Sequence, residues 1–141
     1  MDNINILDCT LRDGGYYNNW NFSKKFINEY LHSIKYTKIN YVELGFAQIK
    51  KNRNNGLCYN VDNNLINSLT IPKNLNIGIM INAKDILIKD NSPYKFRKYI
   101  FNKNISLIRI ACHFNEINNI LPYLKKLRSN KFKLAINLMQ I

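Results

Sequence analysis

Five short apolar stretches recur along the chain with starts about thirty residues apart, and helix-patterned segments separate them. They predict strands near Ile4–Asp8, Ile39–Leu44, Leu75–Ile81, Leu107–Cys112 and Lys133–Met139. Between the first two, Ser23 is placed to cap a helix whose apolar face is Phe26, Ile27, Tyr30, Leu31 and Ile34, with Lys24, Lys25 and Lys35 toward solvent. Between the fourth and fifth, Asn115 is placed to cap a segment carrying Ile117, Ile120, Leu121, Leu124 and Leu127 on one side. Pro122 lacks an amide hydrogen and predicts a kink or restart there. Further helices are expected near Asp62–Leu69 and Pro93–Phe101.

Strands separated by single helical segments require right-handed crossovers, hence a parallel sheet covered by helices and an α/β fold. A doubly wound sheet closes with about five strands, whereas an eight-stranded (β/α)8 TIM barrel needs roughly 250 residues. These 141 residues supply four strand-helix units and a fifth strand, and the sequence stops at Ile141 without a covering helix. The expectation is therefore one domain over residues 1–141, the N-terminal half of a barrel in truncated or split form.

Charge bears on partners. The formal net charge is +12, yet no basic run exceeds two residues. Sixteen Lys accompany 25 Asn and 21 Ile, a bias spread over the whole chain that raises the isoelectric point without a concentrated basic patch. Nucleic acid is therefore not the expected partner. The best local candidate for stacking bases between cations is Tyr94–Phe101, but Phe96, Tyr99, Ile100 and Lys103 follow helical spacing and read as an amphipathic helix. No run of eighteen apolar residues occurs and the first twenty residues lack an export signal, so a cytoplasmic protein with no membrane association is expected. Cys9, Cys58 and Cys112 are odd in number, without zinc or redox spacing, and read as reduced thiols.

In parallel α/β folds chemistry collects where strands end. The first strand runs into Arg12, Asp13, Gly14 and Gly15, and the glycine pair predicts a turn through angles barred to other residues. The second strand supplies Glu43, the fourth Arg109 and His113, the fifth Asn137 and Gln140. Carboxylates suit a hard divalent cation and an adjacent guanidinium suits a developing oxyanion, which points to enolate chemistry.

The segment Asp8-Cys9-Thr10-Leu11-Arg12-Asp13-Gly14-Gly15, followed by Val42-Glu43-Leu44-Gly45-Phe46, resembles the DRE-TIM metallolyases. That superfamily includes hydroxymethylglutaryl-CoA lyase, isopropylmalate synthase and 4-hydroxy-2-oxovalerate aldolase. Arg109-Ile110-Ala111-Cys112-His113 is similar to a fourth strand of the oxovalerate aldolases, and Asn137-Leu138-Met139-Gln140 to a fifth strand of aldolase-like members. The resemblance implies a metal-dependent aldolase or lyase that breaks or makes a carbon-carbon bond beside the carbonyl of a 2-oxo acid or acyl substrate. It implies Asp13 as a ligand of Mg²⁺ or Mn²⁺, Arg12 as the enolate-stabilising cation and Glu43 as the residue fixing Arg12 or a metal-bound water. His113 would bind substrate, with Arg109 and Asn137 at neighbouring strand ends. Where the oxovalerate aldolases carry a basic His, this chain has Tyr16, so either Tyr16 moves the proton or the base lies elsewhere.

The family's His-x-His metal ligands belong to a seventh strand beyond residue 141, which leaves Asp13 as the one transferred ligand. His32 falls within the first helix and does not replace them. A C-terminal half-barrel chain, or self-association of a non-catalytic half-barrel, is accordingly the expected macromolecular partner. The Ala47–Val61 loop, with Lys50, Lys51 and Arg53, reads either as a lid over an anionic substrate or as a solvated surface loop.

Overall fold

A computed structural model describes residues 4–48, 51–88, 102–128 and 131–139. The helix expected near Pro93–Phe101, the aromatic and basic stretch within it, Lys50 and Gln140 lie outside these residues.

Five strands form one sheet: β1 (Leu7–Asp8), β2 (Tyr41–Phe46), β3 (Asn76–Asn82), β4 (Ile105–His113) and β5 (Lys133–Met139). Their order is β1-β2-β3-β4-β5, every neighbouring pair is parallel, and the sheet curls as half of a TIM barrel. Sequential order decides between the two expected architectures, because a doubly wound sheet reverses direction at a switch point and this one does not. The first strand is two residues long, shorter than its apolar pattern predicts.

Helices lie between the strands: α1 (Thr10–Asp13), α2 (Gly15–Asn18), α3 (Lys24–Ile34), α4 (Asn63–Ser68), α5 (Ala83–Leu87) and α6 (Ile117–Leu127). Ser23 caps α3 as expected, accepting the Phe26 amide at 3.1 Å. The helix buries Ile27, Leu31 and Ile34, while Phe26 stays exposed, stacked between Phe22 and Tyr30. Burying Ile27 and Leu31 completely contributes roughly 1.5–3 kcal/mol each. Asp62 caps α4 by accepting the Leu65 amide at 2.9 Å.

Two helix expectations are corrected around α6. It continues through Pro122 and does not restart there; Asn118, whose carbonyl loses its intrahelical donor, is exposed to water. The capping residues are His113 and Glu116, around the 3-10 turn Phe114–Glu116, and not Asn115. Leu121 is exposed, and Ile120, Leu124 and Leu127 face the core.

Every residue of β2 is buried, as befits a parallel strand covered on both faces. A bulge between Glu43 and Phe46 brings Gly45 to φ 150°, with the Cys58 carbonyl oxygen only 1.7 Å from where a Cβ would stand. β1 and β5 are the edges of the described sheet, and Ile136 on β5 is exposed.

Candidate active site

Register fixes which residues share the inner face of the curl. Glu43 pairs with Gly78, Gly78 with Leu107, and Ala111 with Asn137. Paired residues of a parallel sheet, and residues two apart on one strand, share a face. Glu43, Arg109 and Asn137 therefore stand together on β2, β4 and β5, and on the intervening β3 Gly78 offers no side chain to separate the first two.

Arg12 arrives from the other direction, because the chain turns sharply after β1. The Asp8 carboxylate accepts the Thr10 amide at 3.0 Å and its hydroxyl at 3.1 Å, and the Tyr30 hydroxyl donates to Asp8 at 2.5 Å. This turn starts α1 directly at the strand end. Trp20 then holds the Arg12 carbonyl through its indole Nε1 at 2.7 Å.

The glycine pair acts differently from expectation. Gly14 is right-handed at φ −62°, and the left-handed residues are Asn19 and Trp20, at φ 54° and 57°. The glycines are required for space: a Cβ on Gly15 would lie 1.9 Å from the Trp20 ring, and one on Gly14 would lie 2.7 Å from the Thr10 carbonyl oxygen.

Glu43 is 0% exposed and organises the site. It accepts Arg12 Nε at 2.5 Å, Arg109 Nη1 at 3.0 and 3.3 Å, and the Cys9 thiol at 3.4 Å. Without such partners a buried carboxylate would cost many kcal/mol. Two guanidinia overcompensate its charge, and Asp13 restores neutrality by accepting Arg12 Nη1 at 2.7 Å and Nη2 at 3.1 Å. Arg109 Nη2 donates to Asn137 Oδ1 at 2.5 Å. The side chains of Arg12 and Arg109 are 12% and 16% exposed, that of Asp13 58%, so the network is closed beneath and open at Asp13.

Burial alone would ease the Arg12 proton off, but the Glu43 charge and hydrogen bond outweigh it and raise its pKa above the ordinary value. Burial, then the Glu43 charge, raises the Cys9 thiol above its ordinary range. Cys9 is therefore a protonated donor at neutral pH, while its sulfur accepts Arg109 Nη1 at 3.4 Å.

Arg12, Asp13, Glu43, Arg109 and Asn137 thus form one connected cluster. The chain resembles part of the N-terminal domain of a putative aldolase. It is similar to a solved crystal structure described as the "N-terminal domain of a putative aldolase from Bacteroides vulgatus", at 28% identity and TM-score 0.79 over 98% of this chain. The chain spans 45% of that neighbour's length. No protein-family model and no curated protein matches the sequence. The likeness supports an aldolase-like domain.

Two expected site residues stand apart from the cluster. Tyr16 is 65% exposed, with its ring edge-on to Trp20 at 4.7 Å. His113 ends β4, and its amide donates to Glu116 at 2.9 Å within the capping box. Cys9 joins the cluster beyond its expected role as a reduced thiol, and its spacing to Arg12 and Asp13 puts the three on one turn. Among the described residues no group of three or more His, Cys, Asp or Glu can hold a metal ion. Asp13 is engaged by Arg12, and His32 lies exposed beside Tyr36 on α3. The described residues alone do not fit a divalent metal. No helix among them is long and apolar enough to cross a membrane.

Proposed function

We propose that the chain is the N-terminal half of an aldolase or lyase of the DRE-TIM metallolyase kind, acting beside the carbonyl of a 2-oxo acid or acyl substrate. The observation that carries this reading is the convergence of two guanidinia, one from the helix after β1 and one from within β4, on a carboxylate buried within β2, in a half-barrel similar to an aldolase domain. In the cleavage direction a base takes the hydroxyl proton and the carbon-carbon bond breaks. Its electron pair moves onto the carbonyl oxygen as an enolate, and a proton then returns to carbon. Arg12, held in place and kept charged by Glu43, meets the developing negative oxygen. Arg109 and Asn137 orient the substrate, His113 borders it, and Tyr16 at the rim is assigned to proton transfer.

A divalent cation, Mg²⁺ or Mn²⁺, would take Asp13 as its single ligand from the described residues, so its binding belongs to joined halves of the barrel. A second reading, a non-catalytic half-barrel that associates with itself or another chain, draws on the edges at β1 and β5 and on the mutual neutralisation of Arg12 and Asp13.

Calorimetric titration of oxalate, which imitates the enolate of a 2-oxo acid, tests the first reading with a C-terminal aldolase half and Mn²⁺ supplied. Binding weakened at least ten-fold in both Arg12→Gln and Arg109→Gln supports it. Absent binding, or binding unchanged in these variants, overturns it in favour of the second.

A further inference from the structure

The loop from β2 to α4 is a braced cup. Asn60 Nδ2 donates to the carbonyls of Asn52, Asn55 and Gly56 at 2.9, 3.0 and 3.2 Å, and Asn60 Oδ1 accepts the Asn52 amide at 2.8 Å. Gly56 donates to the Asn19 carbonyl at 2.8 Å, and a Cβ on it would lie 2.2 Å from the Trp20 carbonyl oxygen. Between this loop and the starts of α3 and α4 lies a cavity of about 610 Å³, a size suited to a small molecule.

The cavity wall is cationic. Lys24, Lys51 and Arg53 line it against one carboxylate, Asp62. Lys51 Nζ lies 2.5 Å from Asp62 Oδ2, and among the described residues neither Lys24 nor Arg53 forms an ion pair. The wall therefore carries a surplus of two positive charges. Asn21, Asn55 and Asn64 add side-chain amides that are not taken up by hydrogen bonds among the described residues.

We propose that this cavity binds the phosphate group of a small phosphorylated molecule or phosphate itself. A phosphate monoester carries about −1.5 to −2 charge at neutral pH and offers acceptor oxygens in three directions, which matches two surplus cations flanked by dispersed amide donors. A planar carboxylate would use one fork and leave the remaining donors idle. Lys24 stands in the first turn of the eleven-residue α3, whose dipole adds to the attraction. The site adjoins the candidate active site through Trp20, which touches Gly56 on one side and holds the Arg12 carbonyl on the other. The proposal does not depend on any catalytic role for Arg12.

The test is titration of the full chain with inorganic phosphate, and separately with glycerol 3-phosphate, at physiological ionic strength, by calorimetry and amide chemical shifts. Lys24 and Arg53 are exposed, so Lys24→Gln, Arg53→Gln and the double variant should fold. The proposal expects shifts confined to residues 21–24 and 51–64 and affinity reduced at least ten-fold in the double variant. Tighter binding of the ester marks a phosphorylated small molecule as the ligand; tighter binding of the inorganic ion marks free phosphate. No binding, unchanged affinity in the double variant, or shifts spread over lysines elsewhere on this +12 chain would overturn it.

Discussion

Arg12 and Arg109 converge on a single oxygen: Nε of the first lies 2.5 Å and Nη1 of the second 3.0 Å from Glu43 Oε2. One reaches it from the turn after β1 and the other from β4, across the strand on which Gly78 leaves the way open. Glu43 is thus the anion that allows two cations to be held together on the inner face of the sheet.

Removing that anion should be costly. Glu43→Gln leaves two mostly buried guanidinia facing each other, and unfolding in urea should show a loss of about 3 kcal/mol, at the low end for a broken buried pair because both keep some exposure. An unchanged midpoint would mean that the charges do not depend on one another.

Two glycines should respond oppositely to alanine. Gly45→Ala meets the Cys58 carbonyl and a disfavoured φ, and should lose at least ~2 kcal/mol. Gly78→Ala finds its nearest neighbour at 3.5 Å and should be neutral or gain up to ~1 kcal/mol. Thermal unfolding of both variants checks the contrast.

Alkaline pH should weaken the fold through Cys58. Burial pushes this thiol from 9.0 up to about 12, so the folded state favours its protonated form. The contribution is whole below pH 9.0 and is lost as pH rises toward about 12, amounting to about 2 kcal/mol by pH 10.5. Urea midpoints at pH 8 and 10.5 should fall more steeply for the native chain than for Cys58→Ala.

The start of α4 should depend on Asp62. Burial would raise its carboxyl, but the Lys51 hydrogen bond and the Leu65 amide prevail and lower it below 3.8. Asp62→Ala should lose about 1 kcal/mol of capping energy. With the native residue, this stabilisation is present above pH 3.8 and is lost as pH falls through the depressed value, measurable by unfolding at pH 7 and in acid.

The strands were legible because parallel strands covered by helices announce themselves as apolar runs at regular spacing, and the cap at Ser23 because its hydroxyl acts locally. The roles of Gly14 and Gly15 were not, since the demand for a missing Cβ comes from the Trp20 ring and from a carbonyl one turn back. Pro122 does not restart α6, because exposure of Asn118 to water removes much of the penalty for the missing amide. In the site, residue types at strand ends pointed to Arg12, Asp13, Glu43, Arg109 and Asn137, yet their joining through Glu43 depends on register and curl. Cys9 lies on the same turn as Arg12 and Asp13, but its thiol bond to Glu43, 34 residues away, depends on the register that brings β2 beside that turn.

The most direct measurement is release of a 2-oxo acid from a 4-hydroxy-2-oxo acid by this chain joined to a C-terminal aldolase half with Mn²⁺, comparing native Arg12 with Arg12→Lys. The account predicts turnover by the joined halves and at least a hundred-fold loss in the variant, roughly the effect of removing one oxyanion donor. Turnover that survives Arg12→Lys unchanged, or its absence from well-associated native halves, would contradict it.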